Sequence, residues 1–220
     1  MRILELFCGT KSISNEFKDR GHEVFTIDIN PAFEPDQVRN ILEVNIKDIP
    51  FKPDIIWASP PCTTFSIANC KSNNYTDFVP NNVNACLGLA YVYKAIELIK
   101  ELNPKFWFIE NPRGYLRKFP FMYKYHRNTV TYCQYGDKRQ KPTDIWTNNT
   151  FWVPKKMCKP KSSCHEPSPR GTHDTGTQGL KDDLERSRIP RLLALEICLS
   201  CEKGLNKESN GLEKWQTNEN

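Results

Sequence analysis

A single thiol follows an apolar run in the stretch "DIIWASPPCTTFS", which spans residues 54–66. The branched and aromatic residues before Ser59 predict a buried strand, and Pro60-Pro61 cannot extend it into a ladder or a helix without cost. Cys62 is therefore expected on a stiff turn at the carboxyl end of a strand, the edge where ligands bind in open α/β sheets. A thiolate is both a good nucleophile and a good leaving group, so Cys62 is a candidate for covalent catalysis.

A carboxyl group stands at the matching position of the next predicted strand. The stretch "KFWFIEN", residues 105–111, is nearly all apolar, as expected for a strand buried on both faces, and it carries Glu110 near its end. A carboxyl at a buried strand end can have a raised pKa, which suits proton donation to a substrate. The alternative for Glu110 is a structural ion pair.

Two residues near the amino terminus indicate a nucleoside-bearing cofactor. Gly9 follows the predicted strand "RILELF" and precedes a predicted helix, so the backbone there can approach a ligand. Asp28 lies near the end of the second predicted strand, where a carboxylate commonly binds ribose hydroxyls. The G-x-G-x-x-G pattern of dinucleotide sites is absent, which favours S-adenosylmethionine over NAD. A tight turn with a solvated Asp28 remains the alternative.

Strand-like and helix-like runs alternate along the first half of the chain. Strands are predicted over 2–7, 23–30, 41–45, 54–59 and 105–111, helices over 11–21 and 82–102, and an antiparallel edge over 128–136 and 143–148. This order predicts an α/β fold with a mostly parallel, Rossmann-like sheet.

The second half divides by composition. We expect a catalytic core over 1–147, a short segment rich in Pro, Lys and Ser over 148–179, a helix that completes the cofactor pocket over 180–204, and a polar tail over 205–220.

Charge and cysteine usage limit the partners and the compartment. The net charge of +5 and the pI near 8.7 are compatible with a nucleic-acid partner but equally with a slight excess of lysine. The nine cysteines are odd in number and several lie inside apolar runs, which predicts reduced thiols and a cytoplasmic location. The compact size resembles that of a stand-alone modification enzyme, so we expect this cytoplasm to be that of a bacterial or phage-infected cell. The chain has no secretory signal and no apolar stretch of membrane-spanning length, so no membrane partner is expected.

Four segments, read in order, carry a resemblance that covers residues 1–201. The segments "FCG", "SPPCTTFS", "ENPRG" and "RSRIPRLLALEI" resemble motifs of the cytosine-5 DNA methyltransferases. The resemblance implies transfer of a methyl group from S-adenosylmethionine to carbon 5 of a cytosine flipped out of duplex DNA. Cys62 would bond to carbon 6 of the ring, and Glu110 would hold nitrogen 3 and the exocyclic amine.

The same resemblance assigns further roles by position. Cofactor contacts are implied for Phe7, Gly9, Thr10, Asp28, Ile29, Asn45, Ser59 and Pro60. Substrate contacts are implied for Thr63, Ser66, Arg113 and Arg139, and catalytic contacts for Lys141 and Thr143.

The chain departs from the family pattern at three motifs. Thr63 replaces a Gln after the Pro-Cys pair, and Pro112 replaces a Val after the Glu-Asn pair. In "RQKPT", Arg139 stands at the family's Gln, with Lys141 and Thr143 at its two arginines. Thr143 can still form a hydrogen bond to a base but has no charge.

The region available for reading DNA sequence is short. A segment of about thirty residues cannot bury the area of a long specific site, so we expect a target of a few base pairs or modest specificity, bound by a monomer. The long polar loop over 63–82 is expected to close over the flipped base, with Ser66 near a phosphate. Basic residues on the same face would contact phosphates: Arg113, Arg117, Lys118 and Lys124.

Four residues in or near this segment have side chains that can ligate metal, namely Cys158, Cys164, His165 and His173. Their spacing matches no zinc pair of the C-x-x-C form, so the sequence alone predicts no metal site.

Three rival functions stay open. The "SPP" run is also used by enzymes that methylate the amino group of cytosine or adenine, and Phe65 could stack on such a base, although this leaves the Glu-Asn pair unexplained. The second rival keeps the cytosine-5 chemistry on tRNA or another RNA. The third is a nucleic-acid-binding protein without activity, which the presence of both Cys62 and Glu110 disfavours.

Overall fold

The computed structural model describes residues 1–66, 73–166 and 183–216, with the backbone alone described for Asp183 and for 208–216. Within these residues seven strands form one sheet: β1 (Arg2–Leu6), β2 (Glu23–Asp28), β3 (Gln37–Val38), β4 (Ile55–Ala58), β7 (Phe106–Pro112), β8 (Arg127–Thr131) and β9 (Pro142–Thr147). Their order across the sheet is β3-β2-β1-β4-β7-β9-β8. A separate hairpin pairs β5 (Tyr75–Thr76) with β6 (Val79–Pro80).

The first five strands of the sheet are parallel, and β9 and β8 form an antiparallel edge. This confirms the predicted α/β fold with a mostly parallel sheet. The strand order reverses at β1, which lies between β2 and β4. In doubly wound sheets the crevice at such a reversal, outside the carboxyl ends of the strands, is the ligand site.

Helices cover both faces of the sheet. On one face α2 (Val83–Leu102) buries Val92, Ala95 and Ile96 against β1, β4 and β7, and the Asn82 side chain caps its first turn by accepting from Ala85 N at 2.9 Å. On the other face α1 (Ser12–Asp19) packs with α4 (Arg191–Gln216), and α3 (Asp183–Ser187) precedes α4. None of the helices in the described ranges is long and apolar enough to cross a membrane.

The strand predicted over 41–45 is wrong. The third strand is the two-residue β3, and residues 41–43 and 46–48 form 3-10 turns instead. Asn40 explains the first turn, because its side chain accepts from Leu42 N at 3.1 Å and stops the chain from extending. Ile41 and Val44 are buried nonetheless, so the apolar pattern predicted the burial of these side chains correctly although the backbone is not a strand.

The last helix does not stop at Gly204 as expected but continues to Gln216. A Cβ at Gly204 would lie 2.7 Å from the Phe151 ring and closer still to Phe106. This glycine is therefore a site of close packing against the sheet and not a helix stop.

The region predicted as one long loop over 63–82 contains the β5–β6 hairpin. Tyr75 on this hairpin stacks on Phe65 and Tyr115 at centroid distances of 5.6 and 5.3 Å, which anchors the hairpin beside the Pro-Cys turn. Residues 67–72 lie outside the described part of the chain.

Candidate active site

The register of the parallel strands brings the thiol and the carboxyl to one edge of the sheet. Ala58, the last residue of β4, pairs with Leu6 of β1 and with Ile109 of β7. Glu110 is the next residue of β7, and Cys62 follows the end of β4 by four residues. Both side chains therefore belong to the edge where ligands bind.

The Pro-Cys turn is held from two sides. The Cys62 carbonyl accepts from Phe65 N at 3.0 Å and from Ser66 N at 2.9 Å, which closes the turn after this cysteine. The Asn111 side chain, which is completely buried, donates to the Pro60 carbonyl at 2.9 Å. The Asn of the Glu-Asn pair thus fixes the backbone of the Pro-Cys turn.

The loop after β7 also packs closely against this turn. Tyr115 N donates to the Phe65 carbonyl at 2.7 Å, and a Cβ at Gly114 would collide with the Phe65 backbone. Only a glycine allows the two segments to approach this closely.

The Cys62 thiol is half-buried, and burial is the main reason that its pKa is raised above the usual value. The negative charge of Glu110 raises it further, whereas the positive charges of Lys141 and Arg186 lower the pKa of the thiol. These four charged or ionisable groups therefore share one electrostatic environment. The cations are what favour formation of a thiolate there.

Glu110 is buried and hydrogen-bonded. Its carboxylate accepts from the Tyr132 hydroxyl at 3.2 Å, and burial raises the pKa of Glu110, with Lys141, Tyr132 and Ser59 opposing that shift. A carboxyl with a raised pKa retains its proton more readily, as a proton donor to a ring nitrogen requires. Tyr132 has no counterpart among the residues predicted from sequence.

Lys141 carries the positive charge that lowers the pKa of both Cys62 and Glu110. It is buried, and its ammonium group donates to the Arg186 carbonyl at 2.7 Å and lies 4.7 Å from the centre of the Tyr132 ring. Burial lowers the pKa of Lys141, and the negative charges of Glu110 and Cys62 oppose this.

Thr143 and Arg139 are placed differently from Lys141. Thr143 is fully buried and its hydroxyl donates to the Lys141 carbonyl at 3.3 Å, so it supports Lys141, and its contact with a base stays a prediction. The Arg139 guanidinium binds the Asp137 carboxylate and donates to the Glu185 carbonyl at 3.0 Å. Arg139 and Lys141 together tie α3 across the site, a role for α3 that sequence patterns did not indicate.

The cofactor end of the site forms at the first two strands. Phe7 and Gly9 both have positive φ, at 57° and 46°, which turns the chain sharply after β1. The Asp28 carboxylate accepts from Gly9 N and from Asn30 N, each at 2.9 Å. These bonds fix the carboxylate at the reversal point of the sheet, and the space beside Gly9 is open, with no heavy atom within 4 Å of a Cβ placed there.

The remaining cofactor candidates line the same edge with different exposures. Ile29 is apolar but 62% exposed. Asn45 is also exposed, and its side-chain amide donates to the Glu43 carbonyl at 3.2 Å. The Ser59 hydroxyl accepts from the Trp57 indole at 2.8 Å, and Pro60 is buried beneath the turn. Thr10 shares a hydrogen bond of 2.8 Å with Ser12 at the start of α1.

A cavity of about 930 Å³ lies between α1, the loop before β9 and the start of α4. Its wall includes Thr10 and Arg139 from the predicted set, together with Ser12, Gly136, Ile189 and Leu192. The Ile189 amide donates to the Ser12 hydroxyl at 3.2 Å, so the segment before α4 closes onto the first turn.

The residues predicted to contact DNA differ in whether their side chains are exposed or already form an ion pair within the protein. Thr63 and Arg113 are exposed and Ser66 is half-buried. Arg117, by contrast, forms an ion pair with the fully buried Asp144 at 3.3 Å. A structural role for Arg117 is therefore better supported than a phosphate contact.

The fold and the site together define a class of protein. A Rossmann-like sheet with a carboxylate of the ribose-binding type at its reversal point, and a thiol that shares its edge with a buried carboxyl, is the arrangement expected of an enzyme that uses a nucleoside-bearing cofactor and has a thiol available for covalent catalysis.

Comparison with known proteins gives the family. Residues 1–120 match the model of the C-5 cytosine-specific DNA methylase family. The chain is also 32% identical over 220 residues to the "Probable DNA (cytosine-5)-methyltransferase" of Frog virus 3 (isolate Goorha), covering 91% of this chain and 100% of that protein. The chain therefore belongs to the C-5 cytosine-specific DNA methylase family, and the predicted enzyme class, DNA (cytosine-5)-methyltransferase, is confirmed.

One solved structure supports the fold. A crystal structure described as a DNA modification methyltransferase encoded within an E. coli prophage has a TM-score of 0.51 at 15% identity, covering 72% of this chain and 52% of that one. The S. pombe Dnmt2 methyltransferase has a TM-score of 0.43 at 16% identity, covering 67% and 49%. The chain thus spans about half the length of these solved proteins.

Proposed function

We propose that this protein methylates carbon 5 of cytosine in DNA, with Cys62 as the covalent nucleophile and Glu110 as the group that protonates the ring. The observation that carries the proposal is the meeting of Cys62, Glu110 and Lys141 in one electrostatic environment at the ligand edge of the sheet. Family membership supplies the reaction class, and these three side chains supply its chemistry.

The residues at the reversal point fit S-adenosylmethionine. Asp28 is held by two backbone amides and can accept from ribose hydroxyls, and the exposed Ile29 offers an apolar surface to an adenine ring. The open space beside Gly9 allows a ligand to approach the backbone. When bound, S-adenosylmethionine supplies an electrophilic methyl group on a sulfonium ion.

The protein side of the reaction follows from two side chains. The Cys62 thiolate bonds to carbon 6 while the proton of Glu110 passes to nitrogen 3, so the ring becomes an enamine that is nucleophilic at carbon 5. After carbon 5 has taken the methyl group, a base removes its proton, the electron pair reforms the double bond between carbons 5 and 6 as the bond from carbon 6 to sulfur breaks, and the proton on nitrogen 3 returns to Glu110. Lys141 favours both the thiolate and the anionic carboxylate.

The cytosine must leave the duplex to reach Cys62, because the reacting carbon atoms lie within the base stack. We propose that Thr63, Ser66 and Arg113, which border the Pro-Cys turn and the end of β7, face the DNA strand around the flipped base. The exposed side chains of Thr63 and Arg113 are compatible with this role. We also propose a short target, a monomeric enzyme and a reducing, cytoplasm-like compartment, the last because Cys62 must remain a free thiol.

The first experiment identifies the product. The protein is incubated with labelled S-adenosylmethionine and either duplex DNA, single-stranded DNA or tRNA, and the methylated nucleoside is identified by mass spectrometry. We expect 5-methylcytosine in duplex DNA, no activity for Cys62→Ser, and full activity for Cys86→Ser, which alters an exposed thiol on α2. Amino-methylated products that survive Cys62→Ser would refute the proposal, and methylation of tRNA alone would replace DNA with RNA as the substrate.

The second experiment tests the covalent bond. Duplex DNA containing 5-fluorocytosine should trap the enzyme, because fluorine at carbon 5 cannot be removed as a proton and the bond to sulfur then persists. Wild-type protein and Cys86→Ser should form the trapped complex, and peptide mapping should locate it at Cys62. A trapped complex at another cysteine would contradict the assignment.

A further inference from the structure

Four side chains that bind metals in other proteins converge at the antiparallel edge of the sheet. They are Cys133, Cys158, Cys164 and His165, and their ligand atoms all lie within 4.8 Å of one another. Cys133 is in the 3-10 turn over Tyr132–Tyr135 that follows β8, and the other three are in the segment that follows β9. The cluster therefore joins two separate parts of the chain.

The spacing of the ligand atoms fits a tetrahedral metal ion. With Zn–S near 2.3 Å and Zn–N near 2.0–2.1 Å, tetrahedral zinc places two sulfurs about 3.8 Å apart and a sulfur and a nitrogen about 3.6 Å apart. The Sγ atoms of Cys133 and Cys158 are 3.2 Å apart, and those of Cys133 and Cys164 are 3.6 Å apart. The Nδ1 atom of His165 is 3.6 Å from the Sγ atoms of both Cys158 and Cys164.

A disulfide does not account for the cluster. An S–S bond is about 2.05 Å long, well below the 3.2 Å that separates Cys133 from Cys158, and the three cysteines are free thiols. A disulfide would also use only two of the three sulfurs and would leave the histidine without a role.

We propose that Cys133, Cys158, Cys164 and His165 bind a structural Zn²⁺ ion. Three thiolates and one imidazole are a ligand set typical of closed structural zinc sites, and soft sulfur ligands disfavour Mg²⁺ and Ca²⁺. Binding deprotonates the three thiols, whose protons go to solvent. The reaction at Cys62 does not require this ion, so the proposal is independent of the proposed function.

The surroundings of the cluster support this role. Side-chain amides donate to two of the sulfurs, Gln140 to Cys158 at 3.2 Å and Gln134 to Cys164 at 3.3 Å. Such donors stabilise thiolate ligands and orient them around a metal. The Cys158 backbone also donates to the Thr131 hydroxyl at 3.0 Å, so the segment after β9 is fixed to the end of β8 at the cluster.

At this position a bound ion would connect two parts of the structure. Cys133 directly follows Tyr132, whose hydroxyl donates to Glu110, and Cys158 to His165 belong to the segment in which we expect DNA recognition. An ion at this point would fix the recognition segment to the catalytic core and hold the Tyr132 backbone in place. Three of the four proposed ligands were recognised in the sequence as residues that can ligate metal, whereas Cys133 was not, and His173 lies outside the described residues.

A second group of possible ligands, His22, Cys198 and Glu202, carries no such proposal. The Arg20 guanidinium donates to both oxygens of Glu202, at 3.0 and 2.8 Å, and His22 lies 2.9 Å from one of them. A bidentate ion pair satisfies this carboxylate without a metal.

Metal analysis of the purified full-length protein tests the proposal. We expect one zinc ion per wild-type chain by inductively coupled plasma mass spectrometry, retained during dialysis against a mild chelator. Cys164→Ser should lose the ion in the same dialysis, whereas Cys86→Ser and Cys62→Ser should keep it, so loss of zinc and loss of methylation can be separated. Zinc retained by Cys164→Ser as tightly as by the wild type would overturn the assignment.

Cobalt substitution provides a readout that does not depend on any variant folding. Wild-type protein loaded with Co²⁺ should show the thiolate-to-cobalt charge-transfer band and the intense visible bands of a tetrahedral site with sulfur ligands. A chain that contains no zinc and gives no such spectrum, or a peptide map with a disulfide within the cluster, would overturn the proposal.

Discussion

Gly114 offers the sharpest test of how the loop after β7 positions Cys62. In Gly114→Ala the new methyl group would lie about 1 Å inside ordinary van der Waals contact with the Phe65 carbonyl oxygen. That carbonyl also accepts from Tyr115 N, and Phe65 N closes the turn onto the Cys62 carbonyl, so the backbone has little freedom to yield. Relief of the clash must shift the turn that carries Cys62 by a distance on the order of 1 Å.

Two quantities should change in Gly114→Ala. Overpacking of this kind costs about 1–3 kcal/mol of folding free energy. A misplacement of about 1 Å at a reacting group can cost about 100-fold in rate, so we expect kcat for methyl transfer to fall by that order. Urea unfolding measures the first quantity, and steady-state kinetics at a temperature where the variant is fully folded measures the second.

Gly204→Ala is the matched control, because its new methyl group on α4 would overpack the rings of Phe106, at the start of β7, and Phe151, after β9, and neither ring belongs to the Pro-Cys turn. It should lose a similar amount of stability and keep its kcat once folded. If Gly114→Ala and Gly204→Ala were equally destabilised and equally active, the loop after β7 would not control the position of Cys62, and the reasoning would fail.

Buried polar groups at the same edge of the sheet give three further tests. Burial raises the pKa of Glu5 from 4.5, its value in the unfolded chain, to about 7. The free energy of unfolding of the wild type should therefore fall by about 3 kcal/mol as the pH rises from 4.5 through 7. In urea titrations Glu5→Gln should remove this part of the pH dependence, and an unchanged profile would show that Glu5 is not the responsible group. Lys141→Met should move the acid limb of the pH–rate profile to higher pH, because the Lys141 charge lowers the pKa of the Cys62 thiol. Lys141→Arg keeps the charge, so its acid limb should stay closer to that of the wild type. Identical acid limbs for wild type and Lys141→Met would contradict the role of this charge. Asn111→Ala should lose about 1–3 kcal/mol and reduce kcat, because the Pro60 carbonyl loses its buried donor, and a variant with wild-type melting and kcat would exclude that anchor.

Sequence patterns predicted the parts of the fold that depend on local chemistry. The buried strands around Trp57 and Phe108 were recognised by their apolar runs, and α2 by the helical recurrence of its apolar residues. The segment over 41–45 was misassigned because asparagine side chains can replace a strand ladder with local hydrogen bonds, an effect that apolar periodicity does not report.

Long-range contacts at the site could not be predicted in the same way. The carbonyl groups of Glu185 and Arg186 bind Arg139 and Lys141 across more than forty positions of sequence, and no pattern in either segment indicates the pairing. Cys133 was missed for the same reason, since it lies 25 positions before Cys158 and has no second cysteine beside it.

The direction of β9 accounts for most of what was missed. In a parallel sheet the functional residues follow their strands, as Gly9, Cys62 and the end of β7 do. Because β9 is antiparallel to β7, with Thr143 opposite Pro112, it is the start of β9 that reaches the ligand edge, and Lys141 precedes its strand. β8 is antiparallel to β9, with Thr131 opposite Pro142, so the residues after β8 return to the same edge. Tyr132, the residue after β8, therefore reaches Glu110 and Lys141, and the proposed zinc site lies at the same edge of the sheet as the carboxyl for which we propose a catalytic role.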